Sequence, residues 1–312
     1  MTTTVDAPAE DKARVLAAIG RLAPIRDQYP FQPRFFAANG GRMHYVDEGP
    51  RGGETILCVH GNPTWSFAFR RILSEFSKDR RVVAVDHVGC GLSDKPQQWD
   101  YTLENHARNL TALVEHLDLK RVTLVLHDWG GAIGMGFARR APERVQRIFA
   151  MNTAAFRSKR MPLRIRACRI KGLGPYLVRE WNAFAGLAVI LAVHDRKSLT
   201  FPVKRGLLLP YETPESRVAI QRFVEDIPMS PAHRSWNELV ATEDALSRFA
   251  DRPVALCWGE RDWCFTPRFR EEWQRRFPAA RVTRCKDAGH YVFEEAPEEV
   301  SRALRELLAV ER

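Results

Sequence analysis

No stretch of this chain approaches the ~20 consecutive apolar residues that a membrane-crossing helix requires. Residues 1–22 also lack the basic segment followed by an apolar core that directs secretion. Cysteine is sparse, and Cys58, Cys90, Cys168, Cys257, Cys264 and Cys285 include no C-x-x-C pair. Several fall inside apolar runs such as ILCV and ALCW, which reads as small buried hydrophobes in a reducing compartment rather than a disulfide framework. A cytoplasmic protein is expected. Metal-ligand spacing is missing too, because Asp86, His87 and Asp94 match neither a zinc nor a calcium pattern. There is no glycine-rich phosphate loop, no internal repeat and no low-complexity tract. Neither a metal nor a cofactor is expected.

What is present is ordinary in bulk: 312 residues, 45% hydrophobic and 28% charged. A chain of this length buries a core large enough to stand without staples. The formal net charge of +10 is unevenly spread. Arg157, Lys159, Arg160, Arg164, Arg166, Arg169 and Lys171 follow one another with no acid between them. Such a run is either a solvated helix face or a surface that meets an anionic membrane or an acidic partner. No nucleic-acid-binding motif accompanies it, so nucleic acid is not an expected partner.

Short β-branched runs at 43–48, 55–60, 81–86, 122–127, 146–151, 254–258 and 281–285 predict strands, several of them buried on both faces. Helical patterns lie between them. Over 102–118, Thr102 stands at the N-cap, and Leu103, Leu110, Leu113, Val114 and Leu117 recur at helical spacing. Over 297–310 a proline opens the helix, with Val300, Leu304, Leu307 and Leu308 on one face. A further helix over 11–22 is expected to pack on the body. This alternation predicts an α/β fold with a mostly parallel, doubly wound sheet. It breaks between about 153 and 247, where helical pieces rich in Leu, Trp, Phe and Met carry no strand. An insertion at the C-terminal end of a sheet strand sits over the ligand site. The expected organisation is therefore an N-terminal extension (1–34), a core (35–152 and 248–312) and a helical cap domain (153–247).

Three segments carry chemistry. In Val125-Leu126-His127-Asp128-Trp129-Gly130-Gly131 a strand runs straight into paired glycines and a helix of small residues. That is the pattern of a nucleophile elbow, G-x-S-x-G, with Asp128 at the nucleophile position and Leu126 in place of the first glycine. The alternative for Asp128 is a simple helix N-cap. An ionised carboxylate attacks carbon without a base and forms an ester. Asp287-Ala288-Gly289-His290 follows the last strand, where this fold places its histidine. Asp262, after the strand at 254–258, completes the order nucleophile–acid–histidine, with Glu260 as the neighbouring alternative. In His60-Gly61-Asn62-Pro63, backbone N–H groups together with that of Trp129 would form an oxyanion hole. The Asn62 amide and the Trp129 indole are neutral donors suited to holding a departing anion, although Asn62 could instead cap a turn. The loop from Asp86 to Asp94 is expected to be scaffolding.

At this point the motifs HGNPTWSFAFR, DHVGCGLSDKP, LHDWGG and DAGHYVFEE resemble the haloalkane dehalogenase family of α/β-hydrolases, over nearly the whole chain from about Phe35. The resemblance implies Asp128 as nucleophile, His290 as base, Asp262 as its acid, and Asn62 with Trp129 as a halide pair. In that family the absence of glycine at the position of Leu126 is usual. Met151-Asn152-Thr153-Ala154-Ala155-Phe156 and Phe223-Val224-Glu225-Asp226-Ile227-Pro228-Met229-Ser230-Pro231 resemble the β-lactone decarboxylases of bacterial long-chain olefin synthesis. That narrower likeness implies conversion of a cis-3,4-dialkyl β-lactone to a cis-alkene and CO2, with haloalkane dehalogenation or, further off, epoxide hydrolysis as alternatives. It also implies a hydrophobic substrate with long alkyl chains, and partners among the other olefin-pathway enzymes such as a β-lactone synthetase. The basic cap segment would give peripheral membrane contact. Phe156, Trp181, Phe184, Ile190, Leu191, Phe223, Met229 and Trp236 are the candidates to line the alkyl pocket.

Overall fold

The computed structural model describes residues 9–310. The first eight residues of the expected N-terminal extension, like 311 and 312, lie outside the described residues. Eight strands form one sheet: β1 (Arg34–Ala38), β2 (Gly41–Glu48), β3 (Thr55–Val59), β4 (Arg81–Val85), β5 (Val122–Asp128), β6 (Val145–Thr153), β7 (Val254–Gly259) and β8 (Arg281–Cys285). Their order across the sheet is β1-β2-β4-β3-β5-β6-β7-β8. β1, β2 and β4 pair antiparallel and the remaining pairs are parallel. Seven of these strands fall where the alternation of apolar runs places them. The edge strand β1 is the addition. It joins β2 through the two-residue turn Asn39-Gly40, with Ala38 paired to Gly41 and Gly40 at φ +95°, a conformation that glycine adopts without steric cost.

The strands are continuous apolar runs because both faces of the sheet are covered. On β3, Ile56 and Cys58 enter one core cluster, while Leu57 and Val59 enter the other. The period of two along the strand makes this division. One face is covered by α1 (Ala9–Leu22) and α2 (Arg70–Phe76), the other by α3 (Leu103–His116) and α4 (Trp129–Arg140). Thr102 caps α3 as its sequence indicates, accepting from the Asn105 N–H at 3.3 Å. Leu22, Ile25 and Tyr29 are fully buried, so the segment after α1 belongs to the core rather than trailing from it.

Between β6 and β7 the described chain is helical: α5 (Leu163–Ala167), α6 (Leu173–Pro175), a π turn (Tyr176–Glu180), α7 (Ala183–Leu191), α8 (Phe201–Leu208), α9 (Val218–Glu225) and α10 (Trp236–Asp244). After β7 come α11 (Pro267–Arg276), α12 (Val292–Glu295) and α13 (Pro297–Leu308). No helix among the described residues is long and apolar enough to cross a membrane. All six cysteines are free. The loop after β4 is scaffolding: fully buried Asp86 accepts from the Ser66 and Leu92 N–H groups at 2.7 and 2.8 Å and from His44 Nδ1 at 2.8 Å.

One buried ion pair ties the start of α2 to α12. The Arg70 guanidinium is bidentate on Glu294, with its Nη2 donating to Oε2 at 2.9 Å and the two side chains 6% and 0% exposed. Removing one partner strands the other charge, which costs about 3–5 kcal/mol. Urea unfolding of Arg70→Ala is expected to show a loss of that size, and the double variant Arg70→Met/Glu294→Leu a smaller one. A loss under about 1 kcal/mol in the single variant would contradict the assignment of a desolvated charge here.

Candidate active site

β5 ends at Asp128, which turns the chain into α4 with φ +53° and ψ −125°. This left-handed conformation costs a non-glycine residue on the order of 1–3 kcal/mol and persists only where the surroundings enforce it. Thr153 Oγ1 donates to the Asp128 carbonyl and pins the turn. Glycine makes the close approach possible on both sides. A Cβ on Gly130 would lie 1.9 Å from the Val59 carbonyl oxygen, and one on Gly61 would lie 2.1 Å from Asp128 Oδ1. Asp128 stands at the N-cap of α4 but makes no capping hydrogen bond with its side chain. Instead Oδ1 accepts from the Asn62 backbone N–H at 2.6 Å, and the Trp129 backbone N–H donates to the same carboxylate. The N-terminal dipole of α4 favours the anion further. Burial nevertheless outweighs these donors and His290, and the carboxyl pKa stands above the ordinary value.

Asp128 Oδ2 lies 3.7 Å from His290 Nε2. His290 Nδ1 is 2.8 Å from Asp262 Oδ2. Burial pulls the imidazole pKa down, but the carboxylates of Asp262 and Asp128 reverse this and hold it above the ordinary value. Asp262 is itself oriented at both oxygens. Oδ1 accepts from the Cys264 N–H at 2.6 Å and Oδ2 from Asn152 Nδ2 at 2.9 Å. Asn152 is locked in turn on Gly259, to whose carbonyl it donates at 3.0 Å and from whose N–H it accepts at 2.9 Å. Glu260, the alternative acid, points elsewhere and pairs with Arg270 and Arg284. Asp128, Asp262 and His290 are thus brought together by the ends of three strands. Asn152 has no sequence signal that marks it for orienting Asp262. Its position at the end of β6, with φ +37°, emerges only in three dimensions.

Above Asp128 lies a cavity of about 180 Å3, closed by the helices between β6 and β7. Asn62, Trp129, Phe156, Phe184 and Met229 line it together with His290. Five expected pocket residues do not: Leu191 and Trp236 are outside the lining, Ile190 is 40% exposed, and Trp181 and Phe223 turn away from it. Trp181 is 70% exposed on the far side of the π turn. Phe223 is buried behind Trp129, 5.2 Å from that ring and stacked at 4.5 Å on His106. The Asn62 side chain is also partly engaged. Its Nδ2 donates to the Ile220 carbonyl at 3.1 Å, leaving one amide N–H, and Oδ1 is buried without a partner.

The helical segment is fastened to the histidine loop. His290 N–H donates to the Ala192 carbonyl at 2.7 Å, and Trp263 Nε1 to that of Leu191 at 2.7 Å. Glu295 Oε1 accepts from the His194 and Asp195 N–H groups at 2.6 and 2.9 Å, while Oε2 accepts from Gly289 N–H at 2.8 Å. Among the described residues no group of side chains could hold a metal ion.

A family model described as alpha/beta hydrolase fold matches residues 54–297. A cis-3-alkyl-4-alkyloxetan-2-one decarboxylase from Shewanella oneidensis is 40% identical over 277 residues, covering 87% of this chain and 86% of that protein. A protein of the same name from Xanthomonas campestris pv. campestris is 39% identical over 292 residues, covering 90% and 97%. Among solved structures, the haloalkane dehalogenase DatA from Agrobacterium tumefaciens C58 is similar with a TM-score of 0.79 and 30% identity, over 89% of this chain and 96% of that one.

The His290 environment makes a direct prediction. In the native chain the imidazole should titrate above about 6.5 by NMR. Asp262→Asn removes the largest raising influence, so burial then dominates and the titration should move below that value. An unchanged midpoint would mean that Asp262 does not control the ring.

Proposed function

The chain belongs to the α/β-hydrolase fold family, and from that premise we propose that it converts cis-3,4-dialkyl β-lactones to cis-alkenes and CO2. A 3-alkyl-4-alkyloxetan-2-one is such a lactone, so this is the chemistry carried in the names of the two decarboxylases it resembles. The observation that carries the reading is a carboxylate nucleophile at the floor of a largely apolar cavity, with the neutral donors of Asn62 and Trp129 beside it.

Asp128 is the nucleophile. Its Oδ1 is fixed by backbone N–H groups, which leaves Oδ2 to attack the ring carbon that bears the lactone oxygen. The carbon–oxygen bond breaks with inversion, and the electron pair leaves on the lactone oxygen as a carboxylate. The remaining Asn62 amide N–H and the Trp129 indole N–H are placed at the cavity to receive it. The enzyme ester and the carboxylate then stand anti to each other. The bond to CO2 breaks, its electron pair forms the alkene, and the carbon–oxygen bond to Asp128 breaks to return the free carboxylate. Inversion followed by anti elimination keeps the alkyl chains cis, and no water is consumed. Asp262 and Asn152 hold the imidazole of His290 beside the reacting carboxylate.

The helical insertion acts as the cap of this site, and Phe156, Phe184 and Met229 bind alkyl groups. Burying a chain there contributes roughly 0.8 kcal/mol per methylene, so a featureless pocket suffices for affinity. The substrate is a lipophilic small molecule. Contacts with other enzymes of olefin synthesis belong to the same reading.

Haloalkane dehalogenation is the second reading, favoured by the His290–Asp262 pair, which is placed to activate water against an ester. The two part experimentally. Purified enzyme given a cis-dialkyl β-lactone should yield cis-alkene by gas chromatography and release little bromide from a 1-bromoalkane, and Asp128→Asn should abolish alkene formation. In oxygen-18 water, Asp128 should stay unlabelled during lactone turnover. Label entering its carboxylate at every turnover, or rapid bromide release with untouched lactone, would defeat the decarboxylase reading.

A further inference from the structure

The outer side of the cap exposes an apolar helix. α7 reads Ala-Phe-Ala-Gly-Leu-Ala-Val-Ile-Leu, without one polar side chain. Phe184 and Ala188 look into the cavity, while Leu187 and Ile190 on the same helix are 49% and 40% exposed. A helix that is apolar all round is normally covered on all sides, and this one is open on one. α5 repeats the arrangement, with Ile165 on the cavity and Leu163 77% exposed. Apart from Leu16, every exposed large hydrophobic residue recorded for the described chain lies between Leu163 and Phe201. Tyr176 and Trp181 are among them, and such aromatics favour the boundary between water and hydrocarbon. α6, the π turn, α7 and α8 pack against one another in turn, so these groups belong to neighbouring elements.

The same stretch is strongly cationic. Residues 157–208 contain twelve basic residues and two acids, a net of +10 that equals the formal net charge of the whole chain. Among the described residues Lys159, Arg160, Arg166 and Lys171 form no ion pair with the protein. Arg160 also stands on the rim of the cavity. Two copies of so positive a face repel one another, which disfavours self-association through it. An anionic apolar surface satisfies both characters at once.

We infer that the outer face of the cap docks on an anionic lipid bilayer, with its apolar side chains in the headgroup–acyl boundary and the unpaired cations on the lipid phosphates. The cavity lies one helix thickness behind this face, so a membrane-dissolved substrate reaches Asp128 without crossing water. This substrate route rests on the proposed lipophilic lactone; the docking itself does not.

The test is sedimentation of the full chain with vesicles of phosphatidylcholine alone or mixed with phosphatidylglycerol. Binding should require the anionic lipid. Arg166→Gln/Lys171→Gln should weaken it by about thirtyfold, and Leu163→Ser/Leu187→Ser/Phe201→Ser should weaken it at unchanged charge. All these side chains are exposed, so unaltered melting and unaltered turnover of a short, water-soluble lactone serve as controls. Failure of the native chain to sediment, or equal binding to neutral vesicles, overturns the assignment. Loss of a protein–protein complex by the same variants, with no vesicle binding, assigns the face to an acidic protein instead. Retained vesicle binding with no lactone turnover refutes the chemistry while upholding the surface.

Discussion

Burying the carboxylate of Asp128 at the end of β5 costs several kcal/mol unless fixed partners replace the water it loses, and much of the surrounding architecture supplies those partners. Backbone N–H groups must come within hydrogen-bond distance from two directions, so β3 and α4 have to crowd the side chain. Gly61 and Gly130 are the residues whose missing Cβ atoms allow it. The strained conformation of Asp128 is held from behind by Thr153 on β6. The positive end of α4 and the imidazole of His290 complete the environment. Asp262 and Asn152 keep that imidazole oriented, and the carboxylates beside it hold its pKa above the ordinary value. The compensation is incomplete, and the carboxyl stays easier to protonate than an exposed one. A partly unsatisfied anion is a better nucleophile than a fully solvated one, so the residual cost also serves the proposed chemistry.

Much of this could be read in the residues before any coordinates. Strands buried on both faces are written as uninterrupted apolar runs, and seven were legible for that reason. The elbow announced itself by paired glycines following such a run. β1 was hidden because Arg34–Ala38 is a half-exposed edge strand without a clear alternation, although the Asn39-Gly40 turn beside it is a strong hairpin signal. The acid partner was legible because Asp262 follows β7 in chain order. Asn152 was not, since its function lies in a contact with a residue more than a hundred positions away.

The cap was the least legible part, for a definite reason. Helical periodicity needs a window of about 11–18 residues to declare a face, and the cap helices run from three to nine. Aromatic content alone could not say which way Trp181 or Phe223 points. Trp181 turned outward and Phe223 inward to His106, whereas Phe156, Phe184 and Met229 reached the cavity. The surplus of apolar residues in the cap therefore divides between an inner lining and an outer surface, and only the packing separates the two.

The fastening of residues 191–195 to the histidine loop has a mechanical meaning. His290, Trp263 and Gly289 all bond that segment directly or through Glu295. Displacing it would displace the imidazole as well, so the seat of His290 is shared between the sheet, through Asp262, and the helical insertion, through Ala192.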